Sequence, residues 1–378
     1  MISGKNILIV GGGIGGMATA IRMTELGASV TLVDLDPDWR VYGAGITITG
    51  PTLRAYKRLG LLDAIKEQGA TADGATIFHY DGTRLGELDE PVLEEGLPAT
   101  GGIMRPVLHR IMQSRIKALN IPVRLGLSVS ALVNRAEDAG GGVDVTFTDG
   151  SEGYFDVVVG ADSVFSGVRR LTFPHMGEAV PTGQACWRLS IRRPPNMPQG
   201  EFYLGHRYAA GINPCGSDMV YLWMLTPHIQ RDEHFTDEEL FDMLRENLAD
   251  FGGNAAWIRD NMTRDDWINY RPLAAVLQPA PWYMGHIVLL GDAVHATTPH
   301  LASGAGMAVE SALVLAEELD RADSIPAGLQ AYQDRRFDRC RHVVDTSVTV
   351  GKMQLEGCSA EEVGKKIGAG LHRLAEDY

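Results

Sequence analysis

A chain of 378 residues, 45% apolar and 22% charged, is long enough for two domains and for a substantial core. Its formal net charge of −14 leaves no basic stripe to neutralise phosphates, which counts against nucleic acid and anionic membrane surfaces, so neither is expected as a partner. The four cysteines, Cys186, Cys215, Cys340 and Cys358, stand far apart with no CxxC pair and no spaced histidine, so neither a disulfide framework nor a metal site is expected, and a reduced, cytoplasmic setting is.

Residues 6–10 are an aliphatic run, 14–26 follow with helical spacing, and 30–33 are a second aliphatic run closed by Asp34. That is a strand, a crossover helix and a parallel strand. The opening run leads straight into a glycine turn, with no cleavage site and too few apolar residues to span a membrane. Residues 51–68 read as helical, and 75–80 with 84–88 as a strand pair around the Asp81-Gly82 turn. Residues 106–119 make a further helix, opened by Pro106, where a missing N–H does no harm. Residues 123–124, 128–134, 143–148 and 154–159 alternate with turn residues as strands.

From about 182 to 226 the pattern becomes β-rich, carrying Trp187, Phe202, Tyr203, Tyr208, Tyr221 and Trp223, and 237–248 is helical. An aliphatic strand returns at 287–290, and from 303 the chain is helical almost to its end. The fold class is therefore α/β: a Rossmann-like unit with an inserted β-rich domain and a helical C-terminus. Periodicity leaves open whether the helical tail packs on its own chain or pairs with a second copy as a homodimer.

Gly11, Gly13 and Gly16 supply GxGxxG directly after a strand and at the opening of a helix. The first glycine permits the tight turn, the second lets a pyrophosphate reach the backbone, and the third lets helix and strand pack closely. The helix N-terminus offers free N–H groups and the positive end of its dipole. Asp34, at the end of the second strand, can accept from the adenosine ribose hydroxyls. An adenine dinucleotide is expected, and this motif alone does not choose FAD over NAD.

Two later motifs choose. Gly160-Ala161-Asp162-Ser163 follows an apolar strand and precedes Ser166-Gly167-Val168-Arg169. Leu289-Leu290-Gly291-Asp292-Ala293-Val294-His295 is followed by Pro299 and by Gly304-Ala305-Gly306-Met307, which opens a long helix. With these the chain resembles the group A flavoprotein monooxygenases, the aromatic-ring hydroxylases of the para-hydroxybenzoate hydroxylase fold, including the salicylate and urate hydroxylases. The resemblance runs over the whole chain, with three motifs in the family's order. It departs at Asp162-Ser163, where the family has Asp-Gly, at Asp34, usually glutamate, and at Gly304-Ala305-Gly306-Met307-Ala308, where Gly-Gln-Gly-x-Asn is common.

The resemblance implies a discontinuous FAD-binding domain at 1–73, 100–180 and 280–325, a β-rich substrate domain at 74–99 and 181–279, and C-terminal helices at 326–378. It puts Asp292 on the ribityl chain and points the helix N-terminus at Gly304, Ala305, Gly306 and Met307 toward the flavin's pyrimidine edge, where its dipole stabilises negative charge. It also implies cofactor contacts from Ile14, Gly15, Leu35, Gly45, Ile46, Val129, Asp162, Gly291 and Pro299, with Arg105 along the FAD and Arg40 just before the loop that passes the isoalloxazine. His295 is structural or lines the flavin pocket.

The same resemblance places substrate between the flavin and a sheet carrying Arg188, His206, Arg207, Tyr208, Tyr221, Trp223 and Met224, with Pro299 beside the site of dioxygen reaction. Arg207 and Tyr221 lie in positions similar to the substrate-holding arginine and tyrosine of urate hydroxylases, and His206 is a turn histidine or a base. Hydroxylation needs an electron-rich ring, so a group that binds or removes a phenolic or enolic proton is expected. The implied activity is hydroxylation of a small aromatic or heteroaromatic substrate by FAD and dioxygen through a flavin C4a-hydroperoxide, with NADH or NADPH as co-substrate. No second GxGxxG provides a separate nicotinamide domain. Two alternatives remain: other flavin chemistry on the same scaffold, such as epoxidation, decarboxylative hydroxylation or reduction, and a non-catalytic flavin-binding sensor. Halogenation is disfavoured, because Trp223-Met224-Leu225-Thr226-Pro227 does not satisfy Trp-x-Trp-x-Ile-Pro.

Overall fold

The strands Asn6–Val10 and Val157–Gly160 are runs of aliphatic residues with no alternating polar face, the pattern of strands covered on both sides. In the computed structural model, which describes residues 2–41, 43–137, 140–231 and 233–378, they pair in parallel with Ile7 opposite Val157. They form the middle of a six-stranded sheet ordered Tyr283–Met284, Ile287–Leu289, Val157–Gly160, Asn6–Val10, Ser29–Asp34, Val123–Leu125. The helix Ile14–Glu25 makes the crossover, and Gly304–Arg321 packs along it. Both lie in one large core that also takes Leu329, Tyr332, Cys340, Val343 and Leu374 from the tail.

The tail, Ile325–Leu355 and Ala360–Ala375, thus folds onto its own chain, where the carbonyls of Ala375 and Glu376 accept from Arg54. No described helix is long and apolar enough to cross a membrane.

The second unit is a seven-stranded sheet ordered Ile268–Ala275, Val180–Arg192, Met219–Pro227, Ala210–Pro214, Gly200–Leu204, Gly74–His79, Arg84–Asp89. Alternation decides its two faces. Trp187, Leu189, Ile191, Leu222 and Met224 point outward and bury against Leu240, Phe241 and Leu244 of Asp237–Asn247 and Ala255 and Ile258 of Gly253–Asn261. Cys186, Arg188, Tyr221 and Trp223 therefore take the other face, with Arg188 opposite Trp223 in the register.

The structure departs from the sequence reading in four places. Residues 51–68 are two helices, Gly50–Arg58 and Leu62–Gln68, because Gly60 takes φ +68 between them. The run 154–159 divides at Asp156. Glu152–Phe155 joins a three-stranded antiparallel sheet, while Val157–Gly160 enters the parallel one. Asp156 makes the switch: its N–H donates to the Asn6 carbonyl and its carboxylate accepts from the Asn6 N–H and Lys5 Nζ.

The strand Ile268–Ala275 escapes an alternation search because it carries Pro272, which is tolerated on an edge. The last departure is the sheet Gly45–Thr49, Thr100–Met104, Ala70–Ala72, which joins the two units. A Cβ on Gly102 would meet the Pro214 carbonyl oxygen at 2.3 Å, and one on Gly45 would meet Tyr221 Cδ1 at 2.5 Å. Its glycines look like breakers in the sequence and serve here as the surface on which the second sheet rests.

Candidate active site

The first glycine loop is built around close backbone contacts. A Cβ on Gly16 would lie 1.8 Å from the Gly11 carbonyl oxygen, so only glycine lets the helix start against the end of the strand. Gly11 has φ +108 and touches the Ala161–Asp162 backbone, which brings the first and second motifs together. Gly13 differs. A Cβ there would meet no protein atom within 4 Å, and the helix Ile14–Glu25 that it precedes has no side-chain cap and no acidic residue in its first turn. Uncapped amides, the positive end of a dipole and open space are what a pyrophosphate needs.

Asp34 borders this space. Its Oδ2 accepts from the Gly12 N–H at 2.6 Å and its Oδ1 from the Asp36 N–H at 2.8 Å, which orients the carboxylate and leaves acceptor capacity for hydroxyl donors. Leu35 is exposed beside it.

Three residues absent from the motif reading support the loop. The Trp39 indole N–H donates to the Gly12 carbonyl at 2.9 Å, Gln113 donates to the Trp39 carbonyl, and the His109 ring lies edge-on to the Trp39 ring. Trp39 sits at φ +46, a conformation no propensity would assign to tryptophan.

The second and third motifs are tied together by Arg169. This fully buried side chain donates to the carbonyls of Val164 and Ala293, one in each loop. The Asp162 carboxylate accepts from Ser166 and from the Val168 N–H, holding its own loop, and Ser163 takes φ +71 where the family carries glycine. Gly291 at φ +66 turns the chain from the Ile287–Leu289 strand so that Asp292 opens the next short helix.

Asp292 is open to solvent, yet its carboxyl is surrounded by enough protein that burial pushes its pKa upward, with Arg105 pulling it back. We read that combination, exposed to solvent yet hemmed in by protein, as the wall of a cleft. Gly304, Ala305, Gly306 and Met307 begin a helix with no side-chain cap, and Gly306 is held against Thr52, whose Oγ1 would meet an added Cβ at 2.1 Å. Pro299 starts the short turn Pro299–Leu301 just before it.

Four side chains converge across the cleft. Arg105, at the start of Arg105–Ala118, is pressed downward in pKa by burial and then by the charge of Arg188, with Tyr221 and Asp292 acting in the opposite sense. Arg188 is half-buried and makes no hydrogen bond or ion pair among the described residues. The Tyr221 hydroxyl is 2.7 Å from Thr47 Oγ1, and burial pushes it up to about 12, so it stays protonated through the neutral range. Two guanidinium groups that make no ion pair among the described residues, with only the Asp292 carboxylate near Arg105 and a neutral phenol beside them, suit anionic or strongly hydrogen-bonding ligands.

The remaining predicted residues lie as follows. Ile14 begins the first helix and Gly15 packs under Leu290. Ile46 pairs with Ile103 in the joining sheet. Val129 is buried at the start of Val129–Asn134. Arg40 is exposed and paired with Asp36 and Asp38. His206 and Arg207 are exposed in the turn after Gly200–Leu204, where the His206 ring packs 3.8 Å from Tyr80; the structure does not bring them to the Arg105 group.

A family model described as an FAD binding domain matches residues 5–347. The chain belongs to the group A flavoprotein monooxygenases. It is 31% identical over 377 residues, 99% of this chain and 100% of the relative, to the Bacillus subtilis protein YetM, which carries the name of an FAD-dependent monooxygenase. It is 30% identical over 358 residues, 92% of this chain and 89% of the relative, to the 2-heptyl-3-hydroxy-4(1H)-quinolone synthase of Pseudomonas aeruginosa. Among solved structures, Klebsiella pneumoniae HpxO complexed with FAD and uric acid superimposes with a TM-score of 0.83 at 20% identity, over 99% of this chain and 93% of that one. The flavoprotein's cofactor is FAD, and the open Gly13 cradle, Asp34 and the Asp292 cleft are residues that fit it.

Proposed function

We propose that this flavoprotein hydroxylates an acidic aromatic or heteroaromatic ring, such as a phenol, a hydroxypyridine, a purine or a hydroxyquinoline, using NADH or NADPH and dioxygen. One observation carries the reading: among the described residues the Arg188 side chain has neither ion pair nor hydrogen bond, and it lies in the electrostatic reach of Arg105 and of the protonated Tyr221. Burying part of a guanidinium without a partner is costly unless a ligand completes it.

FAD, when bound, supplies the electron transfer and oxygen activation. The chain supplies the rest. Gly13 and the first helix N-terminus hold the pyrophosphate, Asp34 the adenosine ribose, Asp292 the ribityl hydroxyls, and Arg105 the negative charge of the cofactor. Arg188 receives the ring's ionised oxygen or carboxylate, favouring the anion that is the more reactive form of such rings. Tyr221 donates a hydrogen bond to the same end of the ring; with its pKa near 12 it serves as a donor and not as a base. Trp223 and Phe202, whose ring centroids are 5.8 Å apart, wall the pocket and exclude water.

These roles are supported by the P. aeruginosa relative, named for a hydroxylated quinolone, and by HpxO, crystallised with uric acid. The test is NAD(P)H oxidation by the FAD-loaded protein over a panel of these rings, with product analysis. Faster oxidation together with an oxygenated product supports the reading. No acceleration by any acidic ring, or acceleration without an oxygenated product, rejects it.

A further inference from the structure

The helix Gly304–Arg321 sends Glu310 and Ser311 inward, where they meet Arg336 of Ile325–Leu355. Arg336 has no exposed surface, and Glu310 is 2% exposed. Arg336 Nη1 donates to Glu310 Oε2 at 3.0 Å, its Nε to Ser311 Oγ at 3.2 Å, and its Nη2 reaches the Met307 carbonyl at 3.5 Å. Arg339 takes the same carboxylate in a fork, Nε to Oε2 at 2.8 Å and Nη2 to Oε1 at 2.9 Å.

Ser311 Oγ is in turn 3.0 Å from His295 Nε2, and burial, then the Arg336 charge, presses the His295 pKa down to about 3, so that ring is neutral. Two guanidinium groups thus share one carboxylate, and the cluster holds one net positive charge out of reach of salt screening.

The Met307 carbonyl points toward the helix C-terminus and Glu310 and Ser311 lie in the second turn, so the guanidinium stands roughly one and a half to two turns, about 8–10 Å along the axis, behind the amides of Gly304 and Ala305. The helix dipole and this charge have the same sign at the same end. Neither a packing role nor a surface salt bridge accounts for it. Packing would be served by apolar residues, and a balanced pair needs only one arginine.

We propose that Arg336 is a positioning residue for the flavin: it fixes the Gly304 end of the helix and adds a buried positive charge that stabilises the negative charge the flavin gains on reduction. The proposal rests on the placement of that helix end at the flavin's pyrimidine edge. It does not depend on which ring is hydroxylated.

The test is the midpoint potential of the bound FAD, measured on the holoprotein by equilibration with reference dyes, without a ring substrate. Arg336→Met removes the net charge and is expected to lower the equilibrium constant for two-electron reduction about tenfold, a shift of about 30 mV to lower potential. Glu310→Gln leaves both arginines and doubles the net charge, and is expected to move the potential the other way by a similar amount. Arg336→Lys keeps the charge and stays within about threefold of the unsubstituted protein. Shifts of opposite sign are a signature that loosened packing cannot produce. Shifts of the same sign in Arg336→Met and Glu310→Gln, or no shift beyond threefold in either, overturn the proposal. If Arg336→Met does not fold, Glu310→Gln decides: a raised potential supports it, and an unchanged or lowered one overturns it. Because no ring is present, failure of the hydroxylase reading and failure of this one are read from different experiments.

Discussion

Two glycines three residues apart in the same loop should fail in opposite ways. At Gly16 a methyl group would sit 1.8 Å from the Gly11 carbonyl oxygen, and backbone has no rotamer with which to retreat. Overpacking of this kind costs about 1–3 kcal/mol where side chains can adjust and more where they cannot, so Gly16→Ala is expected to destabilise the apoprotein by about 3 kcal/mol or more. At Gly13 the methyl group meets nothing within 4 Å, and φ −75, ψ −173 suits alanine. The apoprotein cost is then only the weaker N-cap, at most about 1 kcal/mol.

The added methyl nevertheless occupies the space proposed for the pyrophosphate and should hold it off the first-turn amides. Phosphate at such a terminus is worth roughly 1–2 kcal/mol, so FAD affinity should fall by about fivefold to thirtyfold. Denaturant unfolding of both apoproteins and fluorescence titration with FAD separate the two effects. If Gly13→Ala binds FAD within twofold of the unsubstituted protein, or if Gly16→Ala apoprotein unfolds at the same denaturant concentration, the account of the loop is wrong.

Tyr221→Phe removes the proposed donor to substrate and takes the Tyr221 hydroxyl away from Thr47 Oγ1; stability should fall by only about 1 kcal/mol, while kcat/KM for an acidic ring should fall about tenfold, as steady-state kinetics would reveal. Gly306→Ala collides with Thr52 Oγ1 at 2.1 Å, so Thr52→Ala added to it should restore part of the lost stability, a coupling of about 1 kcal/mol in a double-mutant cycle of unfolding free energies. Acid should loosen the packing of the helix Gly304–Arg321 through His295. Unfolded, this histidine takes a proton below about pH 6.5, while in the fold it resists protonation to about pH 3, so its stabilisation is complete above about pH 6.5 and lost as pH falls. About 2 kcal/mol should be gone at pH 5, and His295→Gln should show a correspondingly flatter profile of unfolding free energy against pH.

Local rules already written in the chain account for the cofactor half of the molecule. A run of aliphatics, GxGxxG and a terminal Asp34 form one continuous segment whose geometry is set by neighbours in sequence, and the same holds for Gly291-Asp292 after its strand and for the uncapped start at Gly304. Motif order then distinguished FAD from NAD. Periodicity also recovered the hairpin at Asp81-Gly82 and the helical tail. It failed where pairing is non-local or where the signal is a glycine. The strand Thr100–Met104 reads as a break because Gly101 and Gly102 carry no side chain to pattern, although their bareness is what lets the second sheet settle on it.

Only the tertiary structure decided which polar side chains share the cleft. Arg105, Arg188, Tyr221 and Asp292 come from four distant segments, and nothing along the chain distinguishes Arg188 from the exposed Arg207 until a sheet register turns one toward Arg105 and leaves the other in a turn. The same is true of Arg336 and Glu310, which look like ordinary charges on two helices until packing removes both from water. Short-range order is encoded in backbone preferences that each residue carries with it, whereas charge pairing and burial depend on which surfaces meet, and that is settled only when the whole chain has folded.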